Sequence, residues 1–149
     1  MLCLTALGCG PADESSGRLA AADSMQFVID VPSEVKTGVP VPVTLRLTNT
    51  TDRPLTVYLQ GRPTAFDVVV ANQSGAVVWS RLAGETIQAI LGVQTLVAGE
   101  ALTFAGVWPQ RDQSGQPVPP GRYTVMGILP TDTSPIRTDL KSVFILPAS

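Results

Sequence analysis

From residue 25 onward the chain alternates apolar and polar side chains with a period of two. Met25, Phe27, Ile29 and Val31 interleave with Gln26, Val28, Asp30 and Pro32. Val41, Val43, Leu45 and Leu47 interleave with Pro42, Thr44, Arg46 and Thr48. This second run is the cleanest half-buried strand, because one face is wholly aliphatic and the other holds a charge and hydroxyls. The rhythm returns at Leu55, Val57 and Leu59, at Phe66, Val68 and Val70, and at Val77 with Trp79. It continues at Leu102, Phe104 and Trp108, then at Tyr123, Val125 and Leu129, and ends with either Val143 and Ile145 or Phe144 and Leu146.

Turn chemistry separates these runs. Asn49-Thr50-Thr51-Asp52-Arg53-Pro54 is a polar turn closed by a proline, and Asn72-Gln73-Ser74-Gly75 is a short hairpin connection whose glycine accepts positive φ. Ala98-Gly99-Glu100 and Pro119-Pro120-Gly121 are further turns. Eight or nine short strands at this spacing, with no useful amphipathic helix, predict an all-β, Ig-like antiparallel β-sandwich. Residues 82–94 break the rhythm and read as an irregular strand or loop. A single domain over 25–149 is long enough to bury a core without staples. In such sandwiches a tyrosine opening a late strand often turns its hydroxyl back onto a nearby loop, and Tyr123 after Pro120-Gly121 suits that structural role.

Composition narrows the chemistry. The chain has 149 residues, is 44% hydrophobic and 15% charged, and carries a net charge of -2. This is a globular balance without the basic excess of a nucleic-acid binder. It contains no histidine, which removes Ser-His, Cys-His and His-metal arrangements together. Both cysteines, Cys3 and Cys9, lie in the first ten residues, so the body has neither disulfide nor thiolate nucleophile.

That amino terminus has its own pattern. Ala6-Leu7-Gly8-Cys9 resembles the lipobox of bacterial lipoproteins, in which the cysteine sulfur receives a diacylglycerol before cleavage. Residues 1–9 therefore read as a truncated-looking lipoprotein signal with Cys9 as the lipidation site. Eight residues precede Cys9 and none is basic, so a trimmed signal and a chance apolar start both stay open. Residues 10–24 are small and polar, with Arg18 against Asp13, Glu14 and Asp23, and read as a flexible tether. The expected location is the cell envelope, lipid-anchored through Cys9, with a cytoplasmic location as the alternative. No apolar run is long enough to span a bilayer.

Several landmarks follow one another in an order that is similar to a known family. They are Asn49-Thr50-Thr51-Asp52, Phe66-Asp67-Val68, Gly75-Ala76-Val77-Val78-Trp79, Ala98-Gly99-Glu100, Trp108, Asp112 with Gly115, and Pro120-Gly121-Arg122-Tyr123-Thr124-Val125. Together, over about residues 30–146, they resemble the BsuPI family, named for an intracellular proteinase inhibitor of Bacillus. The resemblance implies an Ig-like all-β fold and, for the founding member, inhibition of a serine protease.

The remaining chemistry is sparse. Asp112-Gln113-Ser114-Gly115 superficially suggests a calcium loop but lacks the further oxygen ligands and the closing glutamate, so a hairpin turn is the better description. The acids sit mostly beside turn residues, as at Asp52, Asp112 and Asp132, and Lys36 and Lys141 offer no Ser-x-x-Lys spacing. Arginine, whose planar fork suits interfaces, stands in or beside loops at Arg62, Arg81, Arg111 and Arg137. In a trypsin-like inhibitor one of these would enter the specificity pocket. Trp79 and Trp108 share parity with aliphatic or aromatic neighbours and read as core. The sequence thus describes a binding module without catalysis or cofactor, with a protein partner such as a serine protease and no nucleic acid. The alternative is a cell-envelope adhesion or structural module with no protease target.

Overall fold

A computed structural model describes residues 24–148. The strands are β1 (Met25–Asp30), β2 (Glu34–Lys36), β3 (Val41–Asn49), β4 (Leu55–Gln60), β5 (Asp67–Ala71), β6 (Val77–Ser80), β7 (Leu91–Leu96), β8 (Ala101–Trp108), β9 (Gly121–Leu129), β10 (Ile136–Arg137) and β11 (Lys141–Leu146). They form a sheet β1-β3-β8, a sheet β2-β11-β9-β5-β6 with β10 beside β9, and a two-stranded sheet β4-β7. All pairings are antiparallel except β2 with β11. The all-β sandwich expected from the period-two pattern is the fold.

The inward faces are the ones the alternation selects. Val41, Val43, Leu45 and Leu47 of β3 are buried, as are Val68 and Val70 of β5, Tyr123, Val125 and Leu129 of β9, and Val143 and Ile145 of β11. The open choice in the last strand therefore resolves to Val143 and Ile145, with Phe144 outside. Burying each such side chain contributes about 1.5–3 kcal/mol. Gly127 sits inward on β9, and its missing side chain leaves room for Leu45; a Cβ there would lie 2.9 Å from Leu45 Cδ1.

Two long strands bend together. β3 pairs with β8 up to Thr48 opposite Ala101, and their continuations β4 and β7 resume pairing at Leu55 opposite Leu96. Asn49 holds the corner between these ladders. Its backbone N–H donates to the Glu100 carbonyl, and its own carbonyl accepts from Gly99, both at 2.9 Å. Its Nδ2 donates to the carbonyls of Leu96 (2.9 Å) and Arg53 (2.8 Å), while Oδ1 accepts from the Thr51 N–H (2.9 Å). The side chain is fully buried with every polar atom engaged, as a buried amide must be to avoid a desolvation cost. The polar turn read at Asn49–Pro54 is thus the hinge that sends β4-β7 away from the β3-β8 ladder.

One sequence expectation shifts, and others gain detail. Val77 is exposed and Trp79 only half-buried, because a register shift between Val70 and Ala71 sets Ala71 opposite Val77 and Val70 opposite Trp79, skipping Val78. Residues 82–94 divide into an irregular stretch and the start of β7. The short strands β2 and β10 carry too few residues to show a period.

Candidate functional site

The four loop arginines have different fates. Arg81 lies over the Phe66 ring, 3.8 Å from its centroid, and donates from Nη1 to the Phe66 carbonyl at 2.8 Å. Phe66 in turn packs on Phe104 at 5.4 Å, so Arg81 seals one side of the sandwich by a cation–π contact. Arg111 donates from Nη1 to the Gly115 carbonyl at 2.8 Å and staples its own turn. Arg137 belongs to β10, paired opposite Ile128, and is exposed on that short strand rather than on a loop. Arg62 is exposed on the connection between β4 and β5, and its guanidinium has no partner among the described residues.

The base under Arg62 is firmly tied. Gln60 donates its N–H to the Pro130 carbonyl at 3.1 Å and its Nε2 to the Thr131 carbonyl at 2.8 Å. Gly61 donates to the Ile90 carbonyl, and Ala65 closes the loop onto the Gln60 carbonyl, both at 2.8 Å. The loop needs glycine at 61: its φ is 91°, and a Cβ would lie 2.9 Å from the Pro63 carbonyl oxygen and 3.0 Å from the Ala65 nitrogen. The Arg62–Pro63 peptide is cis. Beside this loop, Arg62, Pro63, Leu82, Glu85 and Ile87 help to line a shallow cleft of about 260 Å³. The sequence placed Arg62 near a loop but did not read Gly61-Arg62-Pro63 as a turn, although glycine and proline flank the arginine. The anchoring joins Gly61 to Ile90, 29 residues on, and Gln60 to Thr131, 71 residues on, and has no local signal.

The other singled-out residues are structural. The Tyr123 hydroxyl donates to the Pro119 carbonyl at 2.6 Å, the tyrosine-corner role expected of it, and burial raises its pKa above the ordinary value. Trp108 is buried, packs 5.2 Å from the Tyr123 ring and donates its indole N–H to the Arg111 carbonyl at 3.0 Å. Asp112 caps a turn: its Oδ1 accepts from the Ser114 hydroxyl and from the N–H groups of Ser114 and Gln116. These bonds, the Ser114 hydroxyl foremost, lower its pKa. The turn that was preferred over a calcium loop is what forms. Among the described residues Asp52 pairs only with Arg53, 3.8 Å away and at the surface, a contact worth little. Cys9, the proposed lipidation site, and the tether of residues 10–24 up to Asp23 lie outside the described residues.

Comparison with known proteins decides the family. Residues 28–133 match the model of the BsuPI family, described as an intracellular proteinase inhibitor. The chain belongs to the BsuPI family. The match takes in strands of both main sheets up to β9 and includes the Arg62 loop, the Asn49 corner and the Tyr123 corner. It corrects the expected location: a lipid-anchored protein of the cell envelope and an intracellular inhibitor occupy different compartments, and the family description stands with the cytoplasmic alternative. Membership in an inhibitor family also accords with a non-enzymatic role and a proteinase partner.

No curated protein matches the sequence. Among solved structures, the domain is similar to the sporulation control protein Spo0M from Bacillus subtilis, at 13% identity and a TM-score of 0.49, covering 82% of this chain and 49% of that one. It is similar to the alkylpurine DNA glycosylase AlkC of Pseudomonas fluorescens at 13% identity and a TM-score of 0.46, covering 82% and 30% of the two chains. It is also similar to a β-glucosidase from Listeria innocua at 14% identity and a TM-score of 0.47, covering 83% and 16%. The domain thus spans less than half of each of these proteins.

Proposed function

We propose that this BsuPI domain is a non-catalytic binding module that inhibits a serine proteinase of arginine specificity by presenting the 61–65 loop, with Arg62 entering the enzyme's acidic pocket. One observation carries the proposal: Arg62 is a loop arginine held on a rigid base while its own charge is left unspent. A pre-formed loop loses little conformational entropy on binding, which is how small inhibitors hold tightly to their targets. Pro63 supplies no backbone N–H and restrains the chain after the arginine. Arg81 and Arg111 serve less well, because freeing either guanidinium would break a bond within the domain.

Titration of the purified full chain against a panel of serine proteinases tests this. Stoichiometric loss of activity is expected for at least one arginine-specific enzyme. Arg62→Ala should weaken inhibition by more than about 2 kcal/mol, or roughly thirtyfold, as at a buried interface hot spot. Arg137→Ala should leave it unchanged. If no enzyme is slowed, or if R62A inhibits as well as the parent, the proposal is refuted.

A further inference from the structure

Among the described residues the fold withholds every lysine and arginine but one from an enzyme that cuts after basic residues. A serine proteinase needs its target segment drawn out into the cleft, so a residue inside a strand ladder is reached only after local opening. Lys36, Arg46, Arg122, Arg137 and Lys141 lie in β2, β3, β9, β10 and β11. Arg81 and Arg111 stand outside strands, but each guanidinium donates to a carbonyl of the domain itself. The Arg53 side chain is exposed, yet its carbonyl accepts from Asn49 Nδ2 at 2.8 Å and from Thr51 Oγ1 at 2.9 Å. The group an enzyme would have to turn into its oxyanion hole is therefore held in the corner.

Arg62 has none of these protections. It is exposed between β4 and β5, and among the described residues no bond runs from its guanidinium or to its carbonyl. Loop tips of this kind are where chains are usually nicked. The residue that follows is Pro63. Cleavage here would bond the enzyme's serine oxygen to the Arg62 carbonyl carbon and break the bond to the Pro63 nitrogen. That nitrogen leaves only by taking a proton from the enzyme's imidazolium. Proline carries its ring Cδ where another residue carries N–H. The ring carbon stands between imidazolium and nitrogen, so the tetrahedral adduct expels the serine oxygen and the peptide bond returns intact.

We infer that Pro63 makes the Arg62 loop an uncleavable bait: an arginine-specific serine proteinase takes Arg62 into its pocket but does not cut the bond that follows. The inference rests on the inhibitor proposal for its partner, and adds why that partner would not destroy the domain. Both cysteines lie in the first ten residues, so no disulfide would hold a nicked loop together, and the uncut bond is the loop's safeguard.

Incubation of the full chain and its Pro63→Ala variant with trypsin tests this, with mass spectrometry following breaks between residues 24 and 148. The parent should stay whole over that span. Pro63→Ala should be cut after Arg62, at least about tenfold faster than any site in the parent. The double variant Arg62→Ala/Pro63→Ala should be whole again, which separates a lost shield from a loosened fold. A parent cut after Arg62 overturns the inference, as does a Pro63→Ala chain that stays whole or a double variant cut as fast as the single one. Trypsin activity in the same samples reads the inhibitor proposal separately. A parent that leaves trypsin fully active while Pro63→Ala is cut at Arg62 refutes inhibition of that enzyme and leaves the uncleavable bond standing. Loss of trypsin activity with the parent cut after Arg62 refutes this inference alone.

Discussion

Asn49→Asp isolates the corner on which the sandwich turns. The substitution keeps shape and volume and leaves Oδ1 free to accept from Thr51, but it removes both bonds that Nδ2 donates. The carbonyl of Leu96, a residue 1% exposed, is left facing an oxygen instead of a donor, at a cost of about 1–3 kcal/mol. The Arg53 carbonyl keeps only a share of the Thr51 hydroxyl proton, which also points to Oδ1, so its loss is about 0.5–1.5 kcal/mol. A carboxylate in this buried, uncompensated place adds about 1 kcal/mol or more. The total is about 4 kcal/mol, a large part of the roughly 5–15 kcal/mol that holds a domain folded. For a domain of this size that lowers Tm by roughly 15 °C. Urea unfolding followed by tryptophan fluorescence should show a lower midpoint with an unchanged slope, since the surface exposed on unfolding is the same. The deficit also depends on pH with a definite sign. Burial raises the new carboxyl's pKa in the folded state, so the deficit grows above the ordinary carboxylate range and shrinks as pH falls through the folded value. A variant within about 1 kcal/mol of the parent at neutral pH would refute the claim that Asn49 satisfies the corner.

Gly127→Ala should cost about 1–3 kcal/mol in urea unfolding, because its Cβ collides with buried Leu45; pairing it with Leu45→Val should recover part of that loss, and simple additivity would argue against the collision. Gly61→Ala should reduce inhibition along with Arg62→Ala while barely changing far-ultraviolet dichroism, since strain at positive φ is confined to the loop; full inhibition by this variant would count against a pre-formed loop. The raised Tyr123 pKa means that the unfolded chain loses the phenolic proton first, so stability should fall as pH rises past the ordinary value of 10.0. Tyr123→Phe should remove that alkaline decline at a cost of about 1 kcal/mol near neutrality, seen in urea midpoints measured across the alkaline range.

The candidate site was legible in residue type but not in position. Four arginines beside loops were equal in the sequence, and the fold separates them by what surrounds each one. Phe66 lies fifteen residues before Arg81, and Gly115 lies four after Arg111; both capture a guanidinium that Arg62 and Arg137 keep free. The lipobox-like Ala6–Cys9 run points to an address that the family contradicts, because a short apolar start with a small residue before a cysteine is a weak signal.

Most strand faces, the turns and the tyrosine corner were settled by local order, the faces of β6 and β11 excepted: a period of two puts one set of side chains on one face, and glycine, proline and asparagine mark where the chain reverses. The bulge at Val70 and Ala71, the bend at Asn49, and the anchoring of Arg62 by Gln60 and Ile90 belong to the tertiary structure alone. Each depends on which distant segments lie side by side, and pairing between strands far apart in sequence leaves no period in either one.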